Sequence, residues 1–95
     1  AARTMTRLAA SKIDSNDSEA TVYSAMAKRF ATDVGFNVCN EALQIFGGYG
    51  YIQEYPLERH VRDVRVHQIL EGTNEIMKMI IGRRMIMEDA ASIIQ

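Results

Sequence analysis

The chain has 95 residues, with 11 lysines and arginines against 12 aspartates and glutamates and a formal net charge of -1. That length holds one small domain, which buries only about two thirds of the surface its unfolded chain exposes. Near-neutral charge excludes the basic footprint of a nucleic-acid binder. The lone Cys39 makes neither an internal disulfide nor a Cys-rich zinc site, and no apolar run approaches the roughly 18 residues that cross a bilayer.

An apolar fraction of 47%, one proline and no tryptophan point to a globular, continuously helical chain. No secretory signal pattern is present. The opening Ala1-Ala2-Arg3-Thr4-Met5 reads as the inside of a helix, which predicts that the chain is a piece of something longer. Met5, Leu8, Ala9 and Ile13 recur at helical spacing, so residues 1–13 are expected to be a helix. The run Asp14-Ser15-Asn16-Asp17-Ser18 competes for backbone hydrogen bonds and breaks it. Asn16, with Glu19 three positions on, resembles a capping box.

A long helix is expected over 18–46, with Tyr23, Met26, Phe30, Val34, Val38 and Ile45 on its apolar face. Ala20, Ala25, Ala27, Ala31 and Gly35 permit close approach of neighbours. Gly47-Gly48 must end it. A glycine-dense loop follows, and Pro56 suits the first turn of a further helix that Gly72 ends. On one continuous helix His60 and His67 would share a face, but no third ligand stands at useful spacing, so no metal site is expected. Arg62, Asp63 and Arg65 read as an ion-pair cluster, and Lys28-Arg29 and Arg83-Arg84 as ordinary solvated pairs. Thr73 is a fair N-cap for a last helix over 74–94, with Glu75 complementing its dipole. That helix is apolar on most sides, as if several neighbours bury it. The fold class is therefore all-α, part of an antiparallel bundle of about four helices, with the whole of 1–95 in one domain.

Two features are candidates to carry chemistry. Three glycines among Gly47, Gly48, Tyr49 and Gly50 let a backbone approach a ligand closely, although a helix cap followed by a tight turn explains them as well. Glu71 lies between Ile69-Leu70 and Gly72. A carboxylate among apolar residues suits a general base, and a surface glutamate at a helix end is the plainer alternative.

Together these pieces resemble the C-terminal part of the acyl-CoA dehydrogenase family. The resemblance rests on Gln44-Ile45-Phe46-Gly47-Gly48-Tyr49-Gly50-Tyr51 with Glu54, Arg59 and Asp63, followed by Val66-His67-Gln68-Ile69-Leu70-Glu71-Gly72-Thr73-Asn74-Glu75. It implies a flavoenzyme that oxidises an acyl-CoA thioester to the 2-enoyl-CoA, of which this chain supplies the later helices of a C-terminal bundle. Glu71 would be the base that removes the α proton. Gln44, Ile45, Phe46, Gly47 and Gly48 would approach the FAD of a neighbouring subunit, and Thr73, Asn74 and Glu75 would contact FAD at the start of the last helix. Gly72 and Arg83 would touch substrate. The run Arg62–Gly72 is most similar to isobutyryl-CoA and other short branched-chain members, while Phe46 stands where the isobutyryl type is expected to carry histidine. The resemblance further implies a homotetramer or dimer, electron-transfer flavoprotein as partner, and a mitochondrial matrix or bacterial cytoplasmic home. A different class of role, a helical assembly or cofactor-docking piece with no turnover of its own, is the alternative for the 95 residues alone.

Overall fold

The computed structural model describes residues 1–94, with side chains described through Glu88. It is helical from end to end, with no strand among the described residues. Helix α1 spans Ala2–Asp14, α2 Ala20–Phe46, α3 Gly48–Tyr51, α4 Leu57–Arg65 and α5 Asn74–Ile94, and a 3-10 turn covers Val66–Gln68. The four longer helices are those expected. The fifth is a single turn within the glycine-dense segment, where a loop was expected.

Helix α2 is the spine, against which α1, α4 and α5 all pack. Pairings along it fix the directions. Lys12 of α1 stacks over Tyr23, 5.0 Å from the ring centroid, so α1 folds back antiparallel to α2. On another side, Val61 of α4 shares a groove with Leu43, Gln68 bonds Asp33, Asn74 bonds Lys28, and Arg84 of α5 bonds the carbonyl of Ser18. Helices α4 and α5 therefore run in succession back along α2, with a corner at residues 69–73 opposite its middle. The result is elongated, 60 × 24 × 20 Å.

The core is small and built on small side chains: Ala9, Val22, Ala25, Ala27 and Met77. Alanines at the contact let helix axes come close, as the spacing of Ala25 and Ala27 predicts. Elsewhere the expected apolar faces stand open. Val38 is 61% exposed, Ile45 83% and Ile86 71%. A Cβ placed on Gly35 would meet nothing within 4 Å, so no helix described here uses the close approach expected there.

Three local expectations are corrected. No side chain caps the α2 start, so the Asn16 capping box does not form; Asp17 Oδ1 accepts the Glu19 N–H at 2.8 Å in the turn ahead of the helix. Asn16 instead takes a left-handed backbone, φ 54°, to reverse the chain. The helix after Pro56 does not continue to Gly72. It stops at Arg65 and tightens, with Ile69 and Leu70 N–H both donating to the Val66 carbonyl, so His60 and His67 do not share one helix. The α4 ion pairs are Arg62–Glu58 at 2.8 Å and Arg59–Asp63 at 3.5 Å, the i,i+4 partners, rather than a cluster of Arg62, Asp63 and Arg65.

Candidate active site

Glu71 sits at the corner between the 3-10 turn and α5. It and Gly72 are consecutive left-handed residues, φ 59° and 88°. For a residue with a Cβ that conformation costs about 1–2 kcal/mol, so Glu71 is held there by its surroundings. Gly72 has a second reason to be glycine: a Cβ on it would lie 2.8 Å from Met77 Cε. After the corner, Thr73 caps α5 as expected, its Oγ1 accepting the Ile76 N–H at 3.3 Å while its carbonyl accepts from Met77. The N–H groups of Asn74 and Glu75 precede the first intrahelical bonds, as in any helix start.

The corner is tied to α2 by a polar network centred on one buried side chain. Asn74, 3% exposed, is its hub. Its side-chain amide donates to Asp33 Oδ1 at 2.6 Å, Thr32 Oγ1 at 2.8 Å and the Arg29 carbonyl at 3.4 Å. Its Oδ1 accepts from Lys28 Nζ at 2.6 Å, and the same ammonium donates to the Gly72 carbonyl at 2.8 Å. Gln68 donates to Asp33 Oδ1 at 2.8 Å, and Arg29 pairs with the other Asp33 oxygen at 3.5 Å. Burial works against the Asp33 charge, but hydrogen bonds from Gln68, Asn74 and Arg29 outweigh it and hold the carboxyl below the usual carboxylate range.

Lys28 and Arg29 are therefore structural partners of the corner and not merely a solvated pair. Sequence reasoning missed Lys28, Thr32, Asp33 and Gln68 because their partners lie far along the chain. The one available signal was an Asn placed immediately after a cap threonine, a buried position in this structure.

Glu71 is exposed and helps wall a groove of about 440 Å³ whose other sides are Ser24, Ala25 and Lys28 of α2, Met77 and Ile80 of α5, and Ile13 of α1. A second groove of about 380 Å³ adjoins it, sharing Thr21 and Ile80, and carries Arg83 together with Arg84, Val22, Ile76 and Met79. The structure thus brings Glu71 and Arg83 to adjoining grooves, whereas Thr73, Asn74 and Glu75 line a separate small pocket with Asp33, Arg65, Gln68 and Ile69. It does not bring Gln44–Gly48 to them. At about 1.5 Å per residue, the end of α2 lies about 27 Å beyond Lys28.

At that far end Gln44, Ile45, Phe46, Gly47 and Gly48 are all exposed. Gly47, at φ 60° and ψ -137°, donates its N–H to the Gln44 carbonyl and lies close to a region that only glycine enters freely. Gly50 is the packed one of the three, since a Cβ there would meet the Leu43 carbonyl and lie 3.0 Å from Phe46 Cβ. Gly48 has neither reason: its φ is ordinary and a Cβ would meet nothing described within 4 Å. A flat group arriving from outside the chain would find open backbone there. Backbone is thus open at two separated places, the Gln44–Gly48 end and the N-terminus of α5. Among the described residues, no three His, Cys, Asp or Glu side chains are grouped to hold a metal ion, and no helix is long and apolar enough to cross a membrane.

Comparison with known proteins bears on the family and the fold. Residues 1–86 match the family model for the acyl-CoA dehydrogenase C-terminal domain. The mitochondrial isobutyryl-CoA dehydrogenase of Dictyostelium discoideum is 52% identical over 89 residues, which are 94% of this chain and 21% of that protein. The structure of butyryl-CoA dehydrogenase from Megasphaera elsdenii superposes with a TM-score of 0.85 at 47% identity, covering 90% of this chain and 22% of that one. A chain in a structure of the electron transferring flavoprotein of Acidaminococcus fermentans superposes with a TM-score of 0.84 at 42% identity, covering 88% and 22%. This chain spans about a fifth of the length of these relatives.

Proposed function

The chain belongs to the acyl-CoA dehydrogenase family, and we propose that it forms the later helices of the C-terminal bundle of a subunit that oxidises a short or branched-chain acyl-CoA to the 2-enoyl-CoA, with Glu71 as the base. The observation that carries this reading is an exposed carboxylate held in a left-handed corner beside a groove, at the start of a helix. A base that must reach a carbon acid needs a fixed position and freedom from a competing cation. Glu71 has the first through the corner. For the second, among the described residues no lysine or arginine nitrogen lies within ion-pairing distance of its carboxylate.

In this reading the Glu71 carboxylate takes the α proton of the thioester. When bound, FAD supplies the acceptor for the hydride that leaves the β carbon. Gly72 lies along the acyl chain, and Arg83, in the adjoining groove, meets a polar part of the substrate. The start of α5, with Thr73, Asn74 and Glu75, holds the cofactor through its backbone N–H groups, because the Asn74 side chain is already engaged with α2. The exposed Gln44–Gly48 end serves a different active site, that of a neighbouring subunit. The end of α2 lies about 27 Å beyond Lys28, which supports that division, as do the open apolar faces of α2 and α5. This reading has the parent assemble as a homotetramer or dimer.

The structural neighbour from Acidaminococcus supports an electron transferring flavoprotein as the partner that takes the two electrons. The Dictyostelium relative supports a mitochondrial home if the source is a eukaryote, and a bacterial source would place it in the cytoplasm. Taken alone, the 95 residues are a helical assembly piece without turnover, since the groove beside Glu71 is open to solvent and the chain spans only about a fifth of its relatives. Replacing Glu71 with Gln in the full-length, FAD-loaded enzyme tests the reading. Turnover of isobutyryl-CoA or butyryl-CoA is expected to vanish with FAD content unchanged, and near-normal turnover would refute it.

A further inference from the structure

We propose that Lys28 is a positioning residue for the reaction, clamping the left-handed Glu71-Gly72 corner to α2 through the Gly72 carbonyl and Asn74 Oδ1. The inference rests on the reading of Glu71 as the base. Three observations support it.

First, the corner is strained and lacks its own support. Two successive residues adopt positive φ, and one of them is not glycine. Such a pair persists only where surroundings over-determine it. The helix ladder does not do so, because the corner falls between the last bond of the 3-10 turn and the first of α5.

Second, the contacts of Lys28 lie on either side of Thr73. Its ammonium reaches Gly72 O at 2.8 Å, immediately after the base, and Asn74 Oδ1 at 2.6 Å, immediately after the cap. Both are charge-assisted bonds to uncharged oxygens, the kind that fixes geometry strongly. Lys28 itself comes from the interior of a 27-residue helix, the longest element of the fold.

Third, the charge is directed away from the base. Lys28 and Glu71 wall the same groove, yet they form no ion pair. A lysine paired with the carboxylate would stabilise its charged form and weaken it as a base. Bound to the backbone instead, the ammonium orients the corner while the carboxylate stays available. Lys28 therefore acts through Gly72 and Asn74, not on the substrate.

The test uses the full-length, FAD-loaded enzyme with Lys28→Met, which keeps the apolar stem and loses all donors, and Lys28→Arg, which keeps donors. Lys28→Gln is measured alongside, so that a methionine variant that fails to fold leaves the comparison intact. For Lys28→Met, kcat is expected to fall at least tenfold, with KM and FAD content within twofold of the parent. The isotope effect on kcat with α-deuterated substrate should rise, because proton removal becomes slower relative to other steps. Lys28→Arg should recover most of kcat. Unchanged kcat in Lys28→Met would overturn the proposal. So would a loss of kcat that follows loss of FAD with an unchanged isotope effect, since that marks a purely structural role. Glu71→Gln run in parallel separates the two claims. If it is inactive while Lys28→Met is normal, only the positioning role fails. If it is active, the assignment of the base fails and the positioning role falls with it.

Discussion

Replacing Asn74 with Ala should loosen the Glu71 corner while leaving the rest of the helical frame closed. Asn74 makes three contacts shorter than 3 Å, to Thr32 Oγ1, Asp33 Oδ1 and Lys28 Nζ. A neutral hydrogen bond contributes about 1 kcal/mol and one to a charged group about 1.5 kcal/mol at the low end, so the three sum to about 4 kcal/mol. Lys28 and Asp33 are only half-buried and rehydrate when released, which cuts the net loss to about half, or roughly 2 kcal/mol. At about 1.4 kcal/mol per factor of ten, that is about thirtyfold in the local opening equilibrium. Amide hydrogen exchange of the full-length protein reads this directly, because corner and helix amides report separately. Peptides covering residues 66–77 should exchange about thirtyfold faster, with peptides from the middle of α2 little changed. Exchange at 66–77 within a few-fold of the parent would show that the network does not hold the corner. Equal acceleration everywhere would show that Asn74 supports global rather than local stability.

Four further outcomes are expected. Gly72→Ala forces a Cβ into a left-handed φ of 88° and against Met77 Cε at 2.8 Å, and should cost about 1–2 kcal/mol of corner stability in the same exchange experiment. Gly48→Ala meets nothing within this chain, so thermal stability should hold while FAD affinity, measured by titration of the apoenzyme, falls. Gly50→Ala does the reverse: its Cβ would meet the Leu43 carbonyl and Phe46 Cβ, so the melting temperature should drop, as about 1–3 kcal/mol of overpacking requires. The depressed Asp33 carboxyl adds stability that is fully present above its unfolded value of about 3.9 and is lost as pH falls through the lower folded value. Corner exchange, corrected for intrinsic rate, should accelerate below about pH 4, and Asp33→Asn should flatten that dependence.

The three long helices were legible because short polar or glycine segments punctuate them. Asp14–Ser18, Gly47-Gly48 and Gly72-Thr73 each forbid continuation for a local reason, and the structure breaks at all three. Thr73 as a cap was legible for the same reason, since the cap bond spans only three residues. The break at Arg65 was not, because the stretch from Leu57 to Leu70 has no glycine or proline. It bends there so that Gln68 can reach Asp33, 35 residues away in sequence. Lys28 escaped notice similarly, reaching Gly72 and Asn74 across 44 and 46 residues. Next to Arg29, it looks in sequence like any solvated pair. The motif containing Glu71 marked it as a candidate base, but the polar network around it is a tertiary property, visible only once α5 lies back along α2. Open apolar residues such as Ile45 and Ile86 were equally legible as apolar and equally silent about what covers them.

The central claim is that Glu71 removes the α proton. Anaerobic rapid mixing of the full-length, FAD-loaded Glu71→Gln variant with isobutyryl-CoA or butyryl-CoA tests it without electron acceptor or turnover. The parent should bleach the visible absorbance of its flavin in the first turnover. The variant should bind substrate and leave that absorbance intact, whereas bleaching at the parental rate would contradict the assignment of Glu71 as the base.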